Sequence, residues 1–364
     1  MTGCVIAERI AAELKLPVTI IEKRPHIGGN CWSEIDQGTG IEYHKYGPHI
    51  FHTSIEKVWN YISNFTKWNN YAHTGWTKYN DKIYSMPINL QTINKFYDRE
   101  MTPAEAKKFL QKEIEKENIV NPANLEEKSI SLIGRPLYEA FIKGYTIKQW
   151  EKDPKELAPE IITRLPIRYT YSNRYFNSLW EGIPLEGYAN LFKSLTSNPL
   201  IKINLNTDWF DMRNEISGDD IVFYTGPLDK FFDYRHGQLE WRTVKFKKMV
   251  FEDDYQGAAI VNEANSNIPY TRTTEYKYFH PERPVKGTVI FKESSHKSSS
   301  EDDPYYPVNT ENNIKILEKY KSMMWQKKEN ITFCGRLGTY TYMDMDVCIN
   351  KALEVFDNFK KSFL

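Results

Sequence analysis

The sequence has no excess of charge of either sign: 48 Lys and Arg balance 48 Asp and Glu. Without a basic field no nucleic-acid partner is expected, and any phosphate ligand must be gripped by a few local arginines. Cysteine is scarce. Cys4, Cys31, Cys334 and Cys348 form no CxxC pair and no metal-type cluster, so the expectation is free thiols in a reducing compartment and no metal. No apolar run reaches 18 residues, so no membrane span is expected. Glu8 and Arg9 stand where a signal peptide needs its apolar core, which argues for a soluble cytoplasmic chain. There are no internal repeats and no low-complexity linker. What is abundant is aromatic: 14% of the 364 residues, with 24 tyrosines. Many must be core, but the surplus of tyrosine suits a site that stacks rings or hydrogen-bonds a sugar. The length allows two or three domains with sizeable cores.

One further thing is missing. The chain begins "MTGCVIAERIAAEL", a helix entered through glycine, with Ile6, Ile10 and Leu14 on one face and Glu8, Arg9 and Glu13 off it. After Pro17 comes "VTIIEKR", an apolar strand ending in Glu22. Gly3 and Glu22 are spaced like the last glycine of a dinucleotide-binding turn and its ribose-binding acid. The strand and first two glycines of that motif do not stand before Gly3. "IEKRPHIGGN" strengthens the reading, because Gly28-Gly29 shortly after an acidic strand end lets the backbone approach a pyrophosphate. That arrangement favours FAD over NAD.

Further along, "WTKYNDKIYSMPINL" predicts a hairpin turning at Asn80-Asp81. "TPAEAKKFLQKEIEKE" carries a capping box of Thr102 and Glu105 with Pro103 at the first helical position, and 90–150 is expected to be an inserted helical bundle. A helix over 188–196, a strand over 200–206 and the strand "DDIVFYTGP" follow. Residues 240–295 alternate as an antiparallel sheet does. A helix (310–323), the strand "NITFCGRLG" and a last helix (346–362) close the chain. Rossmann-type elements at both ends and in the middle predict an α/β fold with a discontinuous cofactor domain. The candidate site segments each have a plain alternative. His49 and His52 in "YGPHIFHT" lack companion metal ligands and could be structural. Trp150, Arg164, Arg168, Tyr169, Tyr171 and Tyr175 could be a helix end and sheet edge, or a mobile lid with a ring-stacking Trp and a phosphate-binding Arg. "CGRLGTYTYMDMD" suits anion binding at a helix start.

Seven motifs in order, "IEKRPHIGGN", "YGPHIFHT", "GYTIKQW", "YTGPLDKFFDYR", "PYTR", "PYYPVN" and "GRLGTYTYMDM", make residues 3–360 resemble bacterial UDP-galactopyranose mutase. The resemblance implies three domains: a Rossmann-like FAD domain (1–66, 186–235, 318–364), a helical bundle with a mobile lid (88–165) and a twisted antiparallel sheet (67–87, 166–185, 236–317). It implies an isomerase that interconverts the pyranose and furanose forms of UDP-galactose through a covalent adduct of flavin N5 with the sugar, on reduced FAD. It further implies a homodimer whose product feeds a cell-surface polysaccharide. By motif match, Arg164 and Arg272 grip the diphosphate. Tyr145 and Trp150, with Phe141 nearby, lie on the uridine side. Tyr175, Tyr306 and Tyr342 contact the diphosphate, and Asn262 precedes the "PYTR" strand. His49 and His52 fall in the loop beside the isoalloxazine. His73 stands where several members carry asparagine. FAD contacts map to Gly3, Glu22, Lys23, Gly28, Gly29, Asn30, Thr225, Gly226, Arg336, Asp344 and Met345.

By the family's motif spacing about a dozen residues would precede Gly3. Met1 is therefore expected to be a misassigned start, the alternative being a truncated product that binds FAD poorly. Two readings from other classes are an FAD-dependent amine oxidase or desaturase, which shares the cofactor fold, and a non-catalytic sugar-nucleotide binder.

Overall fold

A computed structural model of the chain describes residues 1–162, 167–217, 219–299, 302–326 and 330–363. The strands in chain order are β1 (Val18–Ile21), β2 (Ser33–Ile35), β3 (Glu42–His44), β4 (Phe51–Thr53), β5 (Gly75–Tyr79), β6 (Lys82–Met86), β7 (Trp180–Gly182), β8 (Ile201–Asn204), β9 (Val222–Tyr224), β10 (Trp241–Phe251), β11 (Ile260–Glu263), β12 (Arg272–Glu275), β13 (Thr288–Lys297), β14 (Tyr306–Pro307) and β15 (Ile331–Phe333). Seven form one sheet in the order β14-β10-β13-β12-β11-β5-β6.

Its spine is the long antiparallel pair β10–β13, in register from Arg242↔Lys297 to Phe251↔Thr288. The expected hairpin is β5–β6, and Asn80 and Asp81 take φ of 45° and 60°, the left-handed pair that matches strand twist in a two-residue turn. The sheet is not purely antiparallel as expected, because β5 joins β11 in parallel, Val261 opposite Trp76. The two are separated by about 180 residues, so no tight turn imposes an antiparallel approach.

The other parallel strands form two separate pairs, β1–β8 and β9–β15, and short antiparallel pairs join β2–β3 and β4–β7. Helix α1 (Thr2–Arg9) continues into a wider π-type turn, Ile10–Leu14. The wider turn shifts the register of the face. Ile6 and Ile10 stay buried, and Leu14 sits at the margin of the core. That core joins α1 to the last helix, Met345–Phe363, through Val5, Ile6, Ile349 and Phe356.

Helices spanning Leu90–Tyr97, Pro103–Glu115 and Leu125–Ile133, then a helical run to Trp150, enclose a second core around Ile93, Leu110, Ile130 and Tyr138. Their N-termini are capped by Asn89, the Thr102–Glu105 box and Asn124, each cap contributing about 1 kcal/mol. No helix among the described residues is long and apolar enough to cross a membrane.

Candidate active site and cofactor cavity

The carboxyl ends of β1, β9 and β15 converge on the start of α1. A Cβ placed on Gly335, just after β15, would meet Thr2 Oγ1 at 3.3 Å and Thr225 Cβ at 3.6 Å. Around this point lies a cavity of about 1280 Å³ whose walls include Gly3, Glu22, Lys23, Gly28, Gly29, Asn30, Thr225, Gly226, Arg336 and Met345. Asp344 is set beside Tyr342 instead of on the wall; burial first, and Asp344 next, raise the Tyr342 phenol pKa.

The glycines differ in why they are needed. Gly28 has φ 89°, and a Cβ there would stand 2.5 Å from the Phe192 ring, whereas Gly29 has φ 61° and open space around it. Gly3 would accept a Cβ with no contact nearer than 3.9 Å, so its value is not steric in this fold. The strand-end acid is held in place: Glu22 Oε1 accepts a hydrogen bond from the Arg24 backbone N–H at 2.9 Å. Arg24 itself pairs with Asp303 at 2.7 Å and donates to Asn30 Oδ1 at 3.0 Å. Lys23 reaches the same Asp303 at 3.7 Å. Arg336 donates to the carbonyls of Tyr305 and Met343 and lies 4.7 Å over the Tyr342 ring.

His49 also lines the cavity, and its backbone is held at both ends. Its N–H donates to His44 Nδ1 at 2.9 Å, and its carbonyl accepts from Tyr188 Oη at 3.1 Å. Burial pushes the His49 pKa down to about 4, with Arg336 acting the same way. His44 is buried flat against Phe279, with centroids 5.2 Å apart, and burial takes its pKa to about 3. It is therefore neutral and can offer Nδ1 as an acceptor. The sequence reading did not single out His44 or Tyr188. The run of three histidines in "IEYHKYGPHIFHT" was the available signal. His52 is placed differently from expectation. It lies on β4 and not on the cavity wall, stacks on Phe176 at 3.7 Å and bonds Ser178 Oγ at 3.0 Å. It belongs with His73, whose ring lies 5.1 Å from Tyr175 and pairs with Tyr71 Oη at 2.9 Å. The alternation along β4 sends neighbouring side chains to opposite faces, and His52 follows the strand while His49 sits in the loop before it.

Cross-strand register builds the second half of the site. Arg272 opens β12, opposite Asn262 of β11 and Glu293 of β13. Arg272 Nη2 is 3.1 Å from Glu293 Oε1, and among the described residues its Nε has no hydrogen-bond partner. Burial opposes the guanidinium charge, but Glu293 and the nearby Tyr145, Tyr306 and Tyr175 raise its pKa well above the ordinary arginine value. Glu293 is 3% exposed. Burial raises its pKa, against the pull of Arg272 and His49. Glu293 thus stands between Arg272 and the loop of His49, its Oε2 3.7 Å from where a Cβ on Gly47 would be. It was missed in the sequence, where the only hint is an acid inside the apolar strand "TVIFKESSHK". Tyr306 stacks on Tyr342 at 5.9 Å, tying the tyrosines to Arg336.

Tyr145, pushed by burial up to about 12, is carried by the helix Gly144–Trp150. That helix is pinned to the sheet by Lys148, whose Nζ donates to the carbonyls of Glu263, Asn265 and Tyr270 at 2.7, 2.8 and 2.9 Å. Trp150 sits half-buried at the end of the same helix. Phe141 corrects the sequence reading: it is 3% exposed in the helical core, packed against Tyr84 at 4.9 Å and Phe96 at 5.4 Å. One turn up a helix from Tyr145, it faces its own bundle rather than the Arg272 cluster. Arg164 lies outside the described residues.

The arrangement is a large cavity with His49 on its wall and, apart from that wall, a charged arginine with three phenols near it. A group with that chemistry takes an anionic, hydroxyl-rich ligand against the face of a bound cofactor. Among the described residues no group of three or more metal-binding side chains occurs.

Comparison with known proteins agrees with this geometry. An NAD(P)-binding Rossmann-like profile matches residues 1–65, and a UDP-galactopyranose mutase profile matches residues 140–342. The chain is 42% identical to a probable UDP-galactopyranose mutase of Klebsiella pneumoniae, over 99% of this chain and 93% of that protein. It is also 42% identical to a dTDP-fucopyranose mutase of Escherichia coli, over 97% and 94%. The solved structure of a reduced UDP-galactopyranose mutase superposes with a TM-score of 0.72 at 15% identity, covering 99% of this chain and 93% of that one. A putative protoporphyrinogen oxidase from Exiguobacterium follows at 0.65 and 13%, covering 99% and 97%; at such identities these structures speak for the fold alone. With the cavity, the arginine cluster and these relatives together, the chain belongs to the UDP-galactopyranose mutase family of flavin-dependent isomerases.

Proposed function

We propose that the protein interconverts UDP-galactopyranose and UDP-galactofuranose with FAD in its reduced form. The observation that carries this is Arg272: a charged guanidinium whose Nε has no hydrogen-bond partner among the described residues, fixed by β-sheet register beside Glu293 with three tyrosines near it. An amine oxidase has no use for such a diphosphate grip. The residues fit FAD: the left-handed glycines 28 and 29 admit close backbone approach, and Glu22 at a strand end suits a ribose diol. Gly3, Lys23, Asn30, Thr225, Gly226, Arg336, Asp344 and Met345 complete the proposed holding set. Reduced FAD supplies a nucleophilic nitrogen toward the anomeric carbon.

The protein's own work is positional and electrostatic. Arg272, with Arg164, neutralises the diphosphate as it departs and keeps it near for its return. Tyr145, Tyr175, Tyr306 and Tyr342 offer hydroxyls to its oxygens. Trp150 offers a face to the uracil, with Asn262 and His73 at the pocket edge. The His49 carbonyl, held by Tyr188 and by the His44 bond to the adjacent N–H, presents a fixed acceptor toward the flavin. Glu293 stabilises the charge of Arg272 in the absence of ligand. In this reading the three domains have the boundaries expected from the sequence, the assembly is a homodimer, and a cytoplasmic location fits a nucleotide-sugar substrate.

A second substrate is favoured by the equal identity to a dTDP-fucopyranose mutase. The two substrates differ at the base, the ribose 2′-hydroxyl and the sugar 6-hydroxyl. A site built to bond a hydroxyl rejects the analogue that lacks it by as much as about 10⁴-fold. The test is dithionite-reduced protein incubated with UDP-galactofuranose and, separately, dTDP-fucofuranose, with the pyranose product followed by chromatography. Turnover of the first with oxidised protein inert supports the proposal. Preference for the second reassigns the substrate. Oxygen consumption with an amine overturns the mutase reading.

A further inference from the structure

Residues 174–179 form a strap that crosses from the seven-stranded sheet to the cofactor half. On the sheet side Arg174 bridges to Thr74, and the Tyr175 N–H donates to the His73 carbonyl at 2.7 Å. On the cofactor side Phe176 stacks on His52, Ser178 Oγ bonds the same imidazole, and the Leu179 N–H donates to Ser54 Oγ at 3.1 Å. The strap carries Tyr175. Its ring lies 5.1 Å from that of His73 and against Gly75, where a Cβ would meet Tyr175 Cδ2 at 3.0 Å. Tyr175 is near enough to Arg272 to act on its charge. Yet Tyr175 is 41% exposed, so packing by itself holds the ring loosely.

The carboxylate of Glu181 supplies the missing restraint. Glu181 sits on β7, opposite His52 of β4, and its side chain is 2% exposed. Oε1 accepts the His73 N–H at 2.6 Å, and Oε2 accepts from Arg174 Nη2 at 2.8 Å. These bonds close a ring: Glu181 to the His73 N–H, the His73 carbonyl to the Tyr175 N–H, and the adjoining Arg174 back to Glu181. A carboxylate shut away from water is stable only with its charge paired and its oxygens bonded. It therefore fixes the Arg174 side chain, and with it the backbone that leads into Tyr175. Arg168 works on the same segment. Its guanidinium donates to the carbonyls of Arg174 and Tyr175 and, at 2.7 Å, to Asn177 Oδ1. Two arginines beside a tyrosine look like phosphate ligands in the sequence, yet each donates here to acceptors of the protein itself.

We propose that Glu181 is a positioning residue for the ligand site. Through Arg174 and the His73 backbone it aims the Tyr175 hydroxyl at the diphosphate, and Arg168 and Arg174 order the strap instead of gripping the ligand. The proposal rests on the nucleotide-sugar reading above for what Tyr175 meets, and on the hydrogen-bonded ring for what holds Tyr175.

The test titrates UDP into the full chain, with FAD present, in four forms: the parent, Arg174→Ala, Tyr175→Phe and the double variant. Arg174→Ala should raise the UDP dissociation constant about fivefold in the parent and less than about twofold beside Tyr175→Phe, because the hydroxyl it orients is already gone. Equal losses in both backgrounds would overturn the proposal, since Arg174 would then touch the ligand itself. Amide exchange without UDP is the second arm. Arg174→Ala and Glu181→Ala should each speed exchange at Tyr175 by at least about fivefold and leave the amides of the β10–β13 pair as they were. Glu181→Gln keeps an acceptor for the His73 N–H and loses the charge that faces Arg174, so it should fall between. Unchanged exchange at Tyr175, or equal speeding along β10 and β13, would also overturn the proposal. If the parent binds no UDP, the nucleotide-sugar reading falls, and the exchange rates still decide what holds the strap.

Discussion

The two halves of the site are held by different means. On the sheet side, Arg272, Asn262 and Glu293 are neighbours because β11, β12 and β13 lock them in register, and β10 and β13 brace that register over ten paired residues. On the cofactor side, Glu22, Gly28, Thr225 and Arg336 come from strand ends and loops around a large cavity, and the strands beneath are only three or four residues long. A sheet places charges by periodicity, with little tolerance for slippage. Loop ends place backbone groups by φ, through glycines that no other residue replaces cheaply. The first half should therefore fail through chemistry when altered, and the second through backbone conformation.

Removing Arg272 is the largest expected break. Arg272→Ala should lower kcat/KM by roughly 10²–10³ or more, the cost of losing a preorganised charge donor, while the flavin spectrum of the loaded protein stays unchanged. Loss of flavin in that variant would mean the halves are not separable.

Next is Gly28→Ala. Overpacking against Phe192 costs about 1–3 kcal/mol and the left-handed φ about 1–2 more, seen as a lower melting temperature and weaker FAD binding. Gly29→Ala, with open space around it, should bear only the second cost. Equal losses would sink the claim that Phe192 sets the difference.

The buried histidines give a pH test that spans both halves. His44 and His73 have pKa values lowered to about 3, against about 6.5 unfolded. Below pH 6.5 the unfolded chain takes up protons that the folded chain refuses. Stability is thus complete above that pH and falls as pH drops toward 3, by about 1.4 kcal/mol per pH unit for each histidine. Chemical denaturation across pH 7 to 4 measures the slope, and His73→Asn should make it shallower.

Lys148→Met is the mildest. It leaves three carbonyls without their shared donor and loosens the helix that carries Tyr145. KM should rise by about tenfold, in line with a lost charged hydrogen bond of about 1.5 kcal/mol, with the melting temperature only slightly lower. Unchanged KM would show that Tyr145 is positioned without the sheet.

How much was legible follows the same division. Local rules found the helix capped by Thr102 and Glu105, the Asn80-Asp81 hairpin and the acid-then-glycine run from Glu22 to Gly29. Each rests on hydrogen bonds or torsions within a few residues. Ordered motifs were enough for the family. They did not separate Phe141, a core side chain, from Tyr145 one turn away, because a motif records proximity in sequence and not the direction a side chain takes. Glu293 was invisible for a related reason: a lone acid in an apolar strand has no local signature until burial and a cross-strand arginine give it one.

By itself, then, the sequence determined the class of cofactor motif, the elements and the family, since these depend on short-range patterns of glycine, apolar spacing and ordered motifs. Only the tertiary structure decided that Glu293 stands against Arg272, that His44 and Tyr188 hold the His49 backbone, and that His52 lies off the cavity wall. Those relations depend on register between strands far apart in the chain, and on burial, which sets the protonation of groups that look ordinary when read one residue at a time.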